Sequence, residues 1–98
     1  MTHPADLNLK LLIQCERLSM HIQQTEYYQY DSKSLHDLIK DLSPDVYQVI
    51  GPRSIIPAIR LMVWSHGFDL ESKRITLGGK QVSGYVFTHI SRFGFSFV

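Results

Sequence analysis

Apolar residues in the first quarter of the chain fall on a helical period. Leu7, Leu11, Cys15, Leu18 and Ile22 recur at spacings of four and three, and Leu9, Ile13 and Met20 make a second row beside them. The pattern predicts a helix over residues 5–24, with Pro4 tolerated at its start. The apolar arc is wider than one packed face needs, so the helix is expected either to be sandwiched in the core or to be shared with a second protomer. Residues 25–32 read as a polar connector rich in tyrosine (Tyr27, Tyr28, Tyr30). Asp31 or Ser32 can cap a following helix whose stripe is Leu35, Leu38, Ile39 and Leu42. Ser43-Pro44-Asp45 combines a hydroxyl cap, a proline at the first helical position and an acid in the first turn, which predicts a short helix over 44–50 closed by Gly51-Pro52. Ser54 can cap one more helix, with Pro57 in its first turn, Ile55, Ile59, Met62 and Val63 facing inward, and Gly67 as the left-handed stop.

The period then changes. Residues 70–77 and 80–87 read as two strands around Gly78-Gly79, whose adjacent glycines meet the positive-φ demand of a two-residue hairpin turn. That register sets Ile75 opposite Val82 and Arg74 opposite Ser83. Residues 90–98 alternate Phe93, Phe95 and Phe97, as a further strand or an apolar tail would. A free segment of that kind invites aggregation, so it is expected to be covered. With 98 residues, 44% of them hydrophobic, the chain suits one globular domain over 1–98: an N-terminal helix at 5–24, a core at 32–87 and an aromatic tail at 88–98.

Helix, short helix, glycine-containing turn, longer helix, Gly-Phe, hairpin is the order of a winged helix-turn-helix. The expected fold class is therefore α+β, a winged helix-turn-helix with an extra N-terminal helix and a C-terminal strand or tail. In such a domain two short helices brace a third against the major groove of DNA, and the hairpin reaches the backbone or the adjacent minor groove. The run Val49-Ile50-Gly51, Ile55, Ala58-Ile59, Met62, Gly67-Phe68 is similar to the spacing of bacterial winged-helix DNA-binding domains. The stretch from Lys73 to Val86, with basic residues flanking a glycine pair and an aromatic closing the second strand, resembles the wing at the C-terminal end of phage and plasmid primase or replication proteins. The resemblance covers about half the chain and rests on common residue types. It implies a recognition helix over 54–66, with Arg53, Ser54, Pro57, Ala58 and Arg60 outward, and a wing that contacts DNA through Lys73, Arg74, Lys80 and Gln81. Pro57 departs from a usual recognition helix, and the few basic residues imply modest affinity per monomer, which a dimer would double.

Charge sharpens this picture. Through Ile50 there are four basic residues (Lys10, Arg17, Lys33, Lys40) and seven acidic ones. From Gly51 onward there are six basic residues (Arg53, Arg60, Lys73, Arg74, Lys80, Arg92) and two acidic, Asp69 and Glu71. A basic half of this kind is a hint of a polyanion-facing surface. The bland reading stands beside it: Arg60 as a solvated helix residue, and Lys73, Arg74 and Lys80 as edge-strand charges that block sheet-to-sheet association. Cys15 is the only cysteine and sits in an apolar pattern, which together with the absence of a secretory-type N-terminus or a long apolar run predicts a cytoplasmic protein with no membrane partner. The five histidines show no metal-ligand spacing, Gly78-Gly79-Lys80 is no phosphate loop, and no serine sits in a nucleophile elbow, so neither catalysis nor a cofactor is expected. The leading expectation is a small double-stranded-DNA-binding regulator or replication accessory protein of a phage or other mobile element. The alternative is a winged-helix adaptor or inhibitor that binds a larger protein complex through exposed aromatics. Homodimerisation is expected through Leu9, Ile13, Met20, Trp64, Phe93, Phe95 and Phe97, with Trp64 read as a core or interface anchor.

Overall fold

The computed structural model describes residues 4–90. They form α1 (Pro4–Thr25), β1 (Gln29–Asp31), α2 (Ser32–Leu42), α3 (Pro44–Ile50), α4 (Ile55–Met62), a single 3-10 turn (Val63–His66), β2 (Phe68–Leu77) and β3 (Lys80–His89). The architecture is α+β: helices on one side of a three-stranded antiparallel sheet in the order β1-β3-β2.

α1 lays Leu11, Cys15, Leu18 and Ile22 into the core, against α2, α3, α4 and the 3-10 turn. Successive residues rotate by about 100°, so Leu9, Ile13 and Met20 fall on the opposite side. They are exposed by 57%, 40% and 50%, and the core covers α1 from one side rather than sandwiching it. The inner face takes up Gln14 and Ser19 as well. Gln14 donates a long hydrogen bond to the Ile39 carbonyl at 3.5 Å, while its side-chain oxygen and the Ser19 hydroxyl stay buried without a protein partner among the described residues. Burying such atoms costs stability, which the apolar neighbours offset.

The expected caps are met in part. Asp31 caps α2 by accepting from the Ser34 N–H at 3.2 Å, and hydrogen bonding from Ser34 holds its carboxyl below the usual carboxylate range. Ser43, by contrast, does not cap α3 with its hydroxyl. It is the one residue between α2 and α3. Its N–H donates to the Ile39 carbonyl (3.1 Å) and its own carbonyl accepts from the Tyr47 N–H (3.2 Å), so its backbone ends one helix and starts the next. The hydroxyl instead accepts from Arg17 Nη1 at 3.2 Å, and the same Arg17 nitrogen donates to the Leu42 carbonyl at 3.2 Å. A cation at the C-terminal end of α2 thus fastens it to α1. Ser54 makes no side-chain cap either: its backbone is already helical at φ −109° and ψ −13°, and Pro57, the third residue of the helix, has no N–H to offer.

The helix expected over 54–66 is two pieces. α-Helical bonding stops at Met62, where the Ser65 hydroxyl donates to the Met62 carbonyl at 2.7 Å and the Gly67 N–H closes a tight turn on the Trp64 carbonyl at 3.0 Å. A hydroxyl that competes for the backbone acceptors tightens the last turn, and Gly67 at φ +89° ends it. The hairpin pairs residue for residue from Phe68↔His89 to Leu77↔Lys80, with Ile75 opposite Val82 and Arg74 opposite Ser83. Gly78 and Gly79 make the turn at φ +59° and +80°. The connector expected over 25–32 contains β1, which joins the free edge of β3 through Gln29↔Val86, Tyr30↔Tyr85 and Asp31↔Gly84.

Tyr30, Phe68, Leu70 and Phe87 carry the sheet into the helical core. Phe68 and Phe87 meet edge-on at 6.3 Å, a geometry that adds about 0.5–1.5 kcal/mol to their burial. Gly84 is the close-approach point: a Cβ there would stand 2.7 Å from the Tyr30 carbonyl oxygen and 2.5 Å from Ile75 Cδ1. Ile75 is buried over this glycine on the side of the sheet away from the helices.

Candidate nucleic-acid interface

Unbroken pairing fixes which side of the hairpin each residue occupies, because strand side chains alternate. Phe68 and Leu70 point into the helical core, so Ser72, Arg74 and Thr76 share the helix side, as do Gln81, Ser83 and Tyr85 on β3. Asp69, Glu71, Lys73, Ile75 and Lys80 take the other side. The expected basic wing is therefore divided. Arg74 and Gln81 face with the helices and Lys73 and Lys80 face away, since the adjacent residues 73 and 74 cannot point the same way. Lys73 also lies 3.9 Å from the Glu71 carboxylate, an exposed pair worth little in energy that nonetheless cancels its charge locally.

Arg53 and Ser54 sit exposed in the turn that enters α4, and Pro57, Arg60 and Leu61 follow on the solvent side of the helix. Ala58 does not join them. One residue of rotation turns it toward the core, where it packs partly buried. Arg60 is held in place: its Nε donates to the Leu70 carbonyl at 2.9 Å. β2 is an edge strand, and the guanidinium fills one of its open carbonyls while its terminal N–H groups remain free to meet an anion. Arg60 thus ties the exposed side of α4 to the edge of the hairpin. The entry to α4, its solvent side and the helix side of the outer hairpin carry Arg53, Ser54, Arg60, Ser72, Arg74 and Gln81, three arginines and no acid among them.

The far half of the same helix face is apolar. Leu61 is 75% exposed and Trp64 is 64% exposed; with Leu12 of α1 and Met62 they line a shallow depression of about 220 Å³. Trp64, expected as a core or interface anchor, is thus no part of the core. Leu61 and Leu12 belong to neither apolar row that the sequence marks, although Leu61 lies one helical turn after Pro57 and its outward position follows from that spacing. Leu9, Ile13 and Met20 form a separate exposed line on α1. Phe93, Phe95 and Phe97 lie outside the described residues.

Two polar pairs have no signal in the sequence. The Tyr28 hydroxyl and His89 Nε2 are 3.2 Å apart at the end of the sheet. His36 Nδ1 and the Tyr47 hydroxyl are 3.0 Å apart between α2 and α3, with Lys40 Nζ 5.1 Å from the centre of the Tyr47 ring. Neither builds a reactive constellation. Among the described residues there is no group of three or more His, Cys, Asp or Glu placed to hold a metal, and no helix long and apolar enough to cross a membrane. Cys15 is fully buried, and burial pushes its thiol up to about 12, which keeps it protonated and unreactive at neutral pH. No family model, no curated protein and no solved structure matches this chain at a significant level.

Proposed function

We propose that this chain is a winged helix-turn-helix module that binds double-stranded DNA, with the start of α4 toward the major groove and the β2–β3 hairpin on the adjacent backbone. The observation that carries this reading is the separation of charge: three arginines without an acid on α4 and the helix side of the hairpin. Arg53 stands in the turn before α4, Arg60 on the helix and Arg74 on the helix side of the hairpin, while Asp69 and Glu71 are turned to the opposite side of the sheet by strand alternation. The element order and the β1-β3-β2 sheet are compatible with a winged helix. Arginine forks suit phosphate oxygens and guanine edges, and the bond from Arg60 to Leu70 pre-orients one of them. Three cations per copy give a modest, salt-sensitive contact. Two copies paired through the exposed line Leu9, Ile13 and Met20 would double it. The role is that of a regulator or replication accessory protein of a mobile element, acting by binding and not by catalysis.

The two sides of the hairpin provide the test. Duplex binding should be followed by fluorescence anisotropy from low to physiological salt. Reversing Arg53, Arg60 and Arg74 to Glu should abolish it; reversing Lys73 and Lys80 should cost far less. Replacing any one arginine that neutralises a phosphate should flatten the slope of log K against log salt by about 0.9. Equal weakening by the two sets would put the DNA on a different surface. A second reading, a protein-binding winged helix, is favoured by one observation: the apolar half of the α4 face around Leu61 and Trp64. It predicts no duplex affinity at low salt, together with retention on a protein partner that Trp64→Ala abolishes.

A further inference from the structure

Among the described residues no strand pairs with the side of β2 that faces away from β3. The pairing on the other side fixes which backbone groups of β2 point outward. The Phe87 N–H donates to the Tyr28 carbonyl at 2.9 Å, so Phe87 turns its backbone toward β1 and away from β2. Residues opposite each other in an antiparallel ladder either both exchange hydrogen bonds or both point away. Leu70, opposite Phe87, therefore points outward, and the bond from Arg60 Nε to its carbonyl agrees. Every second residue follows, so Ser72, Arg74 and Thr76 offer N–H and carbonyl groups along the outer edge, and all three are exposed. We infer that this stretch accepts an extended acidic peptide segment, which joins the three-stranded sheet as an added strand beside β2.

β2 lacks the usual protections of a sheet edge. It is ten residues long, contains no proline and pairs residue for residue with β3, so no bulge twists it away. What guards it is Arg60 at the inner end and charge at the outer end. An antiparallel second copy centred on Arg74 would set that guanidinium against its own copy, and one centred on Ser72 needs the Leu70 carbonyl that Arg60 already holds. The same features suit an acidic partner. Arg74 stands on the free stretch and Arg60 at its inner end, both exposed, while Lys73 on the far side is already matched by Glu71 at 3.9 Å. Carboxylates on alternate residues of an added strand fall beside Arg74 and toward Arg60, and its backbone takes the hydrogen bonds that Ser72, Arg74 and Thr76 leave open. The backbone bonds supply affinity and the arginines select the sequence. Arg60 and Arg74 also stand on the proposed DNA side, so an added segment and a duplex would exclude each other. The inference does not rest on DNA being bound.

The probe is a heptapeptide that alternates glutamate with threonine, blocked at both ends. Amide hydrogen exchange, followed by nuclear magnetic resonance in the unmodified full chain, reads where it sits. Adding the peptide should slow exchange at Ser72, Arg74 and Thr76 and leave Lys73 and Ile75 as they were, since their N–H groups already serve β3. Thr76→Pro removes an outward N–H without touching the β2–β3 ladder, so it should lose peptide binding and keep the hairpin. The same peptide with lysine in place of glutamate should not bind. Unchanged exchange at the three amides overturns the inference, as does equal binding of the lysine peptide. Slow exchange at those amides before any peptide is added overturns it too, because the edge would then be filled already, by another part of the chain or by a second copy.

Discussion

Cys15 shows how far a single residue's surroundings govern its chemistry. Its thiol lies at the centre of the α1 face, and with folded titration near 12 against about 8.5 for an exposed thiol, the two states hold different numbers of protons in alkaline solution. Between those values the unfolded chain has lost its proton and the folded chain keeps it. Stability is therefore unaffected below about pH 8.5 and declines above it, by as much as about 1.4 kcal/mol per pH unit. Urea unfolding of wild type and Cys15→Ala across pH 7 to 11 should show the two stability curves converging as pH rises, and parallel curves would mean that the thiol reaches water in the folded state. Asp31 acts with the opposite sign. Its carboxyl is held low by Ser34, so its contribution is present above the unfolded carboxylate range and fades as acid protonates it. Neither effect can be weighed from the sequence, where Cys15 is one apolar position in a stripe and Asp31 one of two possible caps.

Among the elements, β1 depends most on its surroundings. Its three residues carry no local strand signal beyond Tyr30, which alternates with Tyr28 just before the strand, and they become a strand because β3 offers a free edge. That pairing needs Gly84. Replacing Gly84 with Ala should destabilise the protein by roughly 1–3 kcal/mol through overpacking, read as a lower urea midpoint. Adding Ile75→Ala should restore only part of the loss, because the Tyr30 carbonyl would still obstruct the new methyl group. Full restoration would show that β1 yields freely. The helices α1 to α3 and the Gly78-Gly79 hairpin are legible in the sequence because each is written in its own residues: period, cap, proline, paired glycines. What is not legible comes from contacts between distant parts. Arg17 reaches the α2–α3 junction, Arg60 reaches the Leu70 carbonyl, and Ser65 tightens the end of the predicted recognition helix. The candidate site is half legible for the same reason. The basic residues can be named, but the division of Lys73 and Lys80 from Arg74 and Gln81 follows from which side of the hairpin meets the core, and only Phe68 and Leu70 in place settle that.

For the molecule as a whole, the exposed outer line of α1 has a proposed occupant, a second copy of the chain. Ile13→Asp together with Met20→Asp should convert a dimer to a monomer in sedimentation while leaving the helical circular dichroism unchanged, since both side chains point away from the core. A wild type that sediments as a monomer at high concentration would show that the outer line of α1 pairs with no second copy. The β1–β3 pairing bears on how the chain comes into being. β1 is made early, and its partners Gly84, Tyr85 and Val86 lie more than fifty residues downstream. The buried stripe of α1 likewise awaits α4 and the 3-10 turn. As the chain leaves the ribosome, then, β1 has no strand to pair with until β3 has emerged. The hairpin is local, closes quickly on its two glycines and supplies the template on which the earlier segments dock. A hairpin made after the helices would then be set before β1 finds its place in the sheet.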